Sequence, residues 1–104
     1  MKLRFTDVNA GDEITIRTQF NNYSFRVTDP VRCRGSLSGG PLGNQQHDAF
    51  LAGARLPDSS QSDEPSRLET GYQAVFLVGG NDFRRLTTST ITEIIVAQTA
   101  AEVC

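Results

Sequence analysis

The sequence contains no tryptophan, one lysine, one histidine and two cysteines among its 104 residues. Two cysteines are too few for the disulfide framework that holds many small secreted domains together. A single histidine leaves no cluster with the spacing of metal ligands. We therefore expect a fold held by an apolar core, with a buried free thiol at Cys33 and no metal or other cofactor.

Long apolar runs are also missing. No segment approaches the roughly 20 apolar residues that span a bilayer, and the first residues lack the apolar stretch of a signal peptide. The net charge of −2 provides no overall field that would attract nucleic acid. These absences predict a cytoplasmic protein with no membrane partner and a single domain that covers residues 1–104.

Charge is distributed unevenly along the chain. Residues 14–40 carry four arginines and one acid, whereas residues 57–70 carry four acids and one arginine. Nine of the ten basic residues are arginine, whose planar guanidinium group suits carboxylates and phosphates better than the lysine ammonium does. The chain therefore has a basic segment and an acidic segment, although a preference for arginine can also reflect genome composition alone.

The basic segment alternates apolar and polar residues, as antiparallel strands with one buried face do. Asn21-Asn22 suits a two-residue hairpin turn because asparagine tolerates positive φ. That turn predicts apolar pairs on one face and polar pairs on the other: Phe20–Tyr23, Thr18–Phe25 and Ile16–Val27 against Gln19–Ser24, Arg17–Arg26 and Thr15–Thr28.

A second hairpin is predicted at Thr28-Asp29-Pro30, where proline cannot donate to a strand ladder. A three-residue loop keeps the apolar face continuous, whereas a two-residue loop would set Val27 against Arg32. The longer loop gives the pairs Val27–Val31, Phe25–Cys33, Arg26–Arg32 and Ser24–Arg34. Together the two hairpins predict a row of arginines across three strands.

The rest of the chain divides into short strands and polar loops. Leu3 and Phe5 alternate with charged residues as in a short first strand, and the apolar run 72–78 suits a strand buried on both faces. Composition indicates a mobile loop at 57–70 and a flexible tail at 98–104. The remaining expectations are a strand or helical turn at 49–56, a strand at 83–86, a 3₁₀ turn at 87–89 and a final strand at 90–97.

Several short strands with almost no helix predict an all-β domain, a small antiparallel barrel of about five to seven strands with long polar loops. The Gly11-Asp12-Glu13 start, the meander, the apolar strand, the turn at 87–89 and the last strand resemble SH3-like small barrels between residues 12 and 97. The ligand-binding aromatic residues of true SH3 domains have no clear counterpart here. The resemblance therefore implies the fold and not polyproline binding, and a split barrel or a β-sandwich fits nearly as well.

The strongest candidate site is the polar face of the meander, with Arg17, Arg26, Arg32, Arg34 and Tyr23. Like charges directly opposite each other destabilise a ladder by about 0.2 to 1 kcal/mol per pair, and threonine would avoid this. The arginines therefore suggest a site for phosphate, nucleic acid or an acidic protein, with Tyr23 stacking a base. The alternative is that Glu13, Glu93 or the acidic segment neutralises them, or that they extend into water.

Three further features carry weaker signals. The glycine-rich stretch 35–43 could cradle a phosphate, but it lacks the lysine and serine or threonine that end a phosphate loop. His47-Asp48 could orient an imidazole, yet no activated serine or cysteine accompanies it. The acids Asp58, Asp63, Glu64 and Glu69 could pair in a cleft. Each of these features is better explained by solvated loops.

The sequence thus favours a binding module over an enzyme, with an acidic protein or nucleic acid as its partner. A structural homo-oligomer is one alternative, because the apolar residues at 72–78 and 90–96 exceed the needs of one small barrel. A homodimer is the simplest such assembly. A small enzyme that uses His47 is the weaker alternative. In size and character the chain also resembles proteins carried on bacterial mobile gene cassettes.

Overall fold

The computed structural model describes residues 2–55, 67–79 and 84–97. Within these ranges the chain forms eight strands: β1 Lys2–Arg4, β2 Glu13–Thr18, β3 Asn22–Asp29, β4 Arg34–Gly39, β5 His47–Arg55, β6 Arg67–Glu69, β7 Gln73–Val78 and β8 Arg84–Ala97. The helical elements of the described ranges are two short 3₁₀ turns, Phe5–Asp7 and Gly40–Leu42. Neither turn has the length or apolar character to cross a membrane.

Six strands close into an antiparallel barrel in the order β2-β3-β4-β5-β7-β8, and β8 pairs back onto β2. The strands β1 and β6 form a separate two-stranded ladder. Closing the sheet gives every barrel strand a hydrogen-bonded neighbour on both sides. The predicted all-β barrel is confirmed.

Phe25 of β3 connects the parts of the core. Its ring centroid lies 5.9 Å from that of Phe5 and 5.2 Å from that of Phe76 in β7, in tilted arrangements that aromatic pairs favour. Gly35 of β4 lies beside this ring, where a Cβ atom would overlap the Arg26 carbonyl group. Glycine at this position therefore allows β4 to pack closely against β3 around the Phe25 ring.

The first hairpin forms in a different register from the predicted one. The observed pairs are Glu13–Arg26, Ile14–Phe25, Thr15–Ser24, Ile16–Tyr23 and Arg17–Asn22. Each β2 residue therefore meets a partner four positions earlier in β3 than predicted, and the expected pairing of Arg17 with Arg26 is wrong. Because side chains alternate with a period of two, an even shift leaves the inward and outward faces as predicted.

Thr18 accounts for the shift in the first hairpin. Its hydroxyl donates to the Asn21 carbonyl at 2.6 Å and accepts from the Asn21 amide at 3.1 Å. These bonds close a four-residue turn over residues 18–21 before the chain reaches the predicted Asn21-Asn22 corner. Phe20 then falls in the turn and is 81% exposed, although the predicted pairing placed it on the core face.

The second hairpin is also shifted by four positions, here toward later residues of the partner strand. The observed pairs are Tyr23–Gly39, Ser24–Ser38, Phe25–Leu37, Arg26–Ser36, Val27–Gly35 and Asp29–Arg34. The predicted pairs Arg26–Arg32 and Phe25–Cys33 are therefore wrong. Val31 lies in the turn at 30–33 and is 90% exposed, whereas Cys33 is buried as predicted.

The strand β8 is continuous through residues 87–89, so the predicted 3₁₀ turn there is wrong. The ladder between β7 and β8 instead shifts register at this point, as it does at a β-bulge. The Thr88 hydroxyl accepts from the Ala74 amide at 2.9 Å and donates to the Ser89 carbonyl at 2.8 Å. This side chain thus supplies hydrogen bonds at the irregularity, and the strand continues without a break.

The structure describes the end of the predicted loop 57–70 and none of the predicted tail 98–104. Residues 57–66 and the tail 98–104 lie outside the described residues. The end of the predicted loop 57–70 forms strand β6, in which Leu68 is fully buried opposite Leu3 of β1. Residues 49–55 belong to strand β5, so the alternative of a helical turn does not apply to them.

The observed register can be tested by reversing one charge. Replacing Arg26 with glutamate places two carboxylates opposite each other, at positions 13 and 26. We therefore expect the free energy of unfolding in urea to fall by about 0.2 to 1 kcal/mol. Exchanging both charges, with Glu13→Arg and Arg26→Glu together, should recover the loss. A gain in stability with Arg26→Glu alone would contradict the register, since the rejected register sets Arg26 between two arginines.

Candidate functional site

Most arginines of the predicted basic face have an acidic partner within the protein. Three ion pairs involve them: Arg17 with Glu93 at 3.1 Å, Arg32 with Asp29 at 3.3 Å, and Arg34 with Asp48 at 3.0 Å. All six side chains are at least one-third exposed, so each pair contributes about 0 to 1 kcal/mol to stability. An anion that binds these arginines would compete with carboxylates that are already present.

Arg26 has a different neighbour from the one predicted. It lies opposite Glu13 on one side and Ser36 on the other, so the predicted row of arginines does not form. Two of the acids involved, Glu13 and Glu93, are the ones considered at the outset as neutralising groups. That these arginines bind a ligand stays a prediction.

A pocket opens at one end of the barrel. Because neighbouring strands are antiparallel around the ring, the connections β2–β3, β4–β5 and β7–β8 all leave the barrel at this end. The pocket has a volume of about 620 Å³ and lies between the 3₁₀ turn Gly40–Leu42, the first residue of β5, the end of β7 and the beginning of β8. We call this pocket the barrel mouth.

Strand alternation explains which side chains reach the barrel mouth. His47 is in phase with Ala49 and Leu51, which are buried inside the barrel. Arg84 is likewise in phase with Leu86, which packs against the core, and it lies opposite Val78 of β7. These positions continue the inward face of the barrel to the point where the strands end, so their side chains line an opening rather than a core.

The lining of the barrel mouth combines apolar and cationic groups. Its apolar members are Pro41, Leu42, Val78 and Leu86, and its polar members are His47, Arg84, Arg85 and Thr87. Among the described residues that line it there is no carboxylate. Arg84 and His47 occupy inward positions beside this apolar surface, and Arg85, which alternation places on the opposite face of β8, adds a second exposed positive charge at the opening.

Tyr23, a predicted ligand contact, is buried at the same end of the barrel. Only 4% of its surface is exposed, so the ring has no open face on which a base could stack. A Cβ atom on Gly40 would lie 2.6 Å from the ring, which shows how closely the 3₁₀ turn covers it. Burial raises the pKa of the Tyr23 hydroxyl, and a hydrogen bond with Asn21 offsets part of that rise.

The His47-Asp48 pair does not act as a unit. Successive residues of a strand point to opposite faces, and the Asp48 carboxylate pairs with Arg34 at 3.0 Å while His47 lines the barrel mouth. Asp48 therefore does not orient the imidazole. Within the described ranges no group of three or more His, Cys, Asp and Glu side chains is placed to hold a metal ion.

The glycine-rich stretch uses part of its backbone within itself. The Gly39 amide donates to the Gly43 carbonyl at 2.8 Å, and the Gly43 amide donates to the Gly40 carbonyl at 3.2 Å. These amides are not available to cradle a phosphate. Of the four acids considered for a cleft, Asp58, Asp63 and Glu64 lie outside the described residues, and Glu69 pairs with Arg67 at 3.2 Å.

Sequence reasoning did not single out Arg84 and Arg85. The two residues follow residues 80–83, which lie outside the described residues, and the alternation of Arg84 with Leu86 was the available signal. Their relation to His47 depends on β5, β7 and β8 being consecutive in the ring. No protein-family model, curated protein or solved structure matches the chain, so the chemistry of the barrel mouth has to carry the functional argument.

The buried Tyr23 hydroxyl predicts a loss of stability in alkali. Because its pKa is higher in the folded protein than in the unfolded chain, the unfolded chain releases the proton first as pH rises. The free energy of unfolding should therefore fall from about pH 10, the ordinary tyrosine pKa, until the folded pKa is passed. Urea unfolding of the wild type and of Tyr23→Phe between pH 8 and 11 measures this.

Tyr72→Phe is the matched control for that experiment, since it removes a phenol and leaves Tyr23 in place. Between pH 8 and 11 the free energy of unfolding should fall less in Tyr23→Phe than in the wild type. In Tyr72→Phe the part of this fall that comes from Tyr23 should remain. An alkaline decline in Tyr23→Phe as large as that of the wild type would contradict the burial of this hydroxyl.

Proposed function

We propose that the protein is a non-catalytic binding module that holds an anionic ligand at the barrel mouth. The observation that carries the proposal is that the lining of one partly apolar pocket includes His47, Arg84 and Arg85 and, among its described members, no acid. A concave, mostly apolar surface with a few convergent polar groups is the usual form of a small-molecule site.

The charges favour an anion over a neutral or cationic ligand. Arginine can bind a carboxylate or a phosphate through two parallel hydrogen bonds, which makes it more selective for these groups than a point charge would be. On the outer face Arg17, Arg32 and Arg34 already lie beside carboxylates. The described lining of the barrel mouth contains no carboxylate residue.

Several features argue for binding rather than catalysis. His47 lacks the orienting carboxylate that a general base usually has, because Asp48 pairs with Arg34. The described lining offers one hydroxyl, that of Thr87, and no thiol or carboxylate that could act as a nucleophile or an acid. These residues suit recognition of a charged group and offer no complete set of groups for a chemical step.

The shape of the pocket also bears on the class of partner. A nucleic acid backbone is usually bound along an extended basic surface with aromatic residues on which bases stack. Here the outer arginines are separated and paired, and Tyr23 is buried. A pocket of about 620 Å³ suits an anionic group that enters end-on, from a small organic molecule or from an acidic side chain.

The proposal predicts that loss of the two arginines at the mouth weakens anion binding. The affinity of Arg84→Gln/Arg85→Gln for octanoate, acetate or inorganic phosphate should fall at least about tenfold, because charge-assisted hydrogen bonds are lost. His47 is the only histidine, so its imidazole resonances in an NMR titration report binding at the mouth without assignment ambiguity.

The matched control is Arg17→Gln/Arg32→Gln, which removes the same charge from the outer face. It should leave binding within about twofold of the wild type, since exposed charges at a distance are largely screened. If the outer-face variant loses binding and the mouth variant does not, the site lies on the outer face. If no anion of the panel shifts the His47 resonances, the proposed function is wrong.

A further inference from the structure

We infer that the ligand of the barrel mouth is an amphiphilic organic anion, with its charged group at the rim and its apolar body directed toward the core. This inference rests on the proposed function and adds the class and the orientation of the ligand. It follows from the order in which apolar and cationic side chains succeed one another along β7 and β8.

Along β8 the apolar and the cationic residues that line the pocket are two positions apart. Leu86 lies opposite Phe76, a fully buried residue of the core, whereas Arg84 lies opposite Val78 at the strand ends. Two residues along a strand span about 7 Å. The lining therefore changes from apolar to cationic over about 7 Å from the inside of the barrel to its rim.

The inner part of the pocket is an incompletely covered apolar surface. Leu42 and Leu86 are only partly buried although both pack against the core cluster, and Val78 completes the edge of that cluster. Water against these side chains would be released by an apolar group, which is favourable at about 25 cal/mol per Å² of area removed. A ligand that is charged throughout would not gain this free energy of apolar burial.

The size of the pocket agrees with such a ligand. About 620 Å³ lies within the range of small-molecule sites, about 300 to 1,000 Å³. Acetate or inorganic phosphate would occupy only the cationic rim. A medium-chain or aromatic carboxylate would reach both the guanidinium group of Arg84 and the surface of Leu42 and Leu86.

Three probes separate the parts of the inference: octanoate, acetate and 1-octanol. Each is titrated into the whole chain while the His47 imidazole resonances and the backbone amides of Gly79 and Leu86 are followed by NMR. Octanoate should bind at least about tenfold more tightly than acetate, since burial of two methylene groups already corresponds to that factor. It should also bind more tightly than octanol, which offers the same chain without the charge.

A pair of variants tests the apolar part alone. Leu42→Ser should weaken octanoate binding several-fold more than acetate binding, whereas Ile95→Ser, on the exposed outer face of β8, should change neither. Both sites lie at least partly at the surface, so both variants should remain folded, and the dispersion of their amide spectra checks this.

The outcomes distinguish this inference from the proposed function. If acetate binds as tightly as octanoate and its binding requires Arg84 and Arg85, the barrel mouth binds anions, but the inference that its ligand is amphiphilic is wrong. If octanol binds as tightly as octanoate, the inference that the ligand carries a charged group at the rim is wrong. If Leu42→Ser leaves octanoate binding intact, the apolar body does not lie where we place it. If none of the anions shifts the His47 resonances, both proposals fail.

Discussion

The fold depends on β8, the long strand that closes the ring. The 14 residues of β8 pair with β7 through their first half and with β2 through their second half, and this double pairing turns a six-stranded sheet into a ring. Without it β2 and β7 would be edge strands with unpaired amides and carbonyls. The bulge near Thr88 lies where β8 passes from one partner to the other, and the Thr88 hydroxyl supplies the Ala74 amide with an acceptor there.

Closure of the ring determines both where the charges meet and where the barrel opens. It places β8 beside β2, so that Glu93 reaches Arg17, and the register of the hairpins sets Glu13 opposite Arg26. The same topology brings the start of β5, the end of β7 and the start of β8 to one end. Side chains that point inward at that end lie at the last residues of the strands, so the sheet does not continue over them. The candidate site is thus a consequence of where the strands of a closed barrel stop.

Much of the fold followed from the pattern of residues, and the register did not. Alternation over β2 and β3 identified the buried face correctly, including Ile14, Ile16, Phe25 and Val27. The same alternation is satisfied after any even shift, so it could not separate the predicted hairpins from the observed ones. The deciding interaction is local, namely the hydrogen bonds of the Thr18 side chain with Asn21, whereas the sequence pattern favoured a turn at Asn21-Asn22. The barrel mouth was harder to predict because His47 and Arg84 are 37 positions apart in the chain and meet only once the order of β5, β7 and β8 is known.

The register of β2 between its two neighbours is the central claim, since the closure of the ring and the pairing of Arg17 with Glu93 follow from it. Cross-strand nuclear Overhauser effects between backbone protons measure it most directly. The structure predicts contacts between Ile14 and Phe25, between Ile16 and Tyr23, and between Thr15 and Ile95 across the closure of the ring. Contacts between Thr18 and Phe25 or between Ile16 and Val27, together with none between β2 and β8, would contradict it.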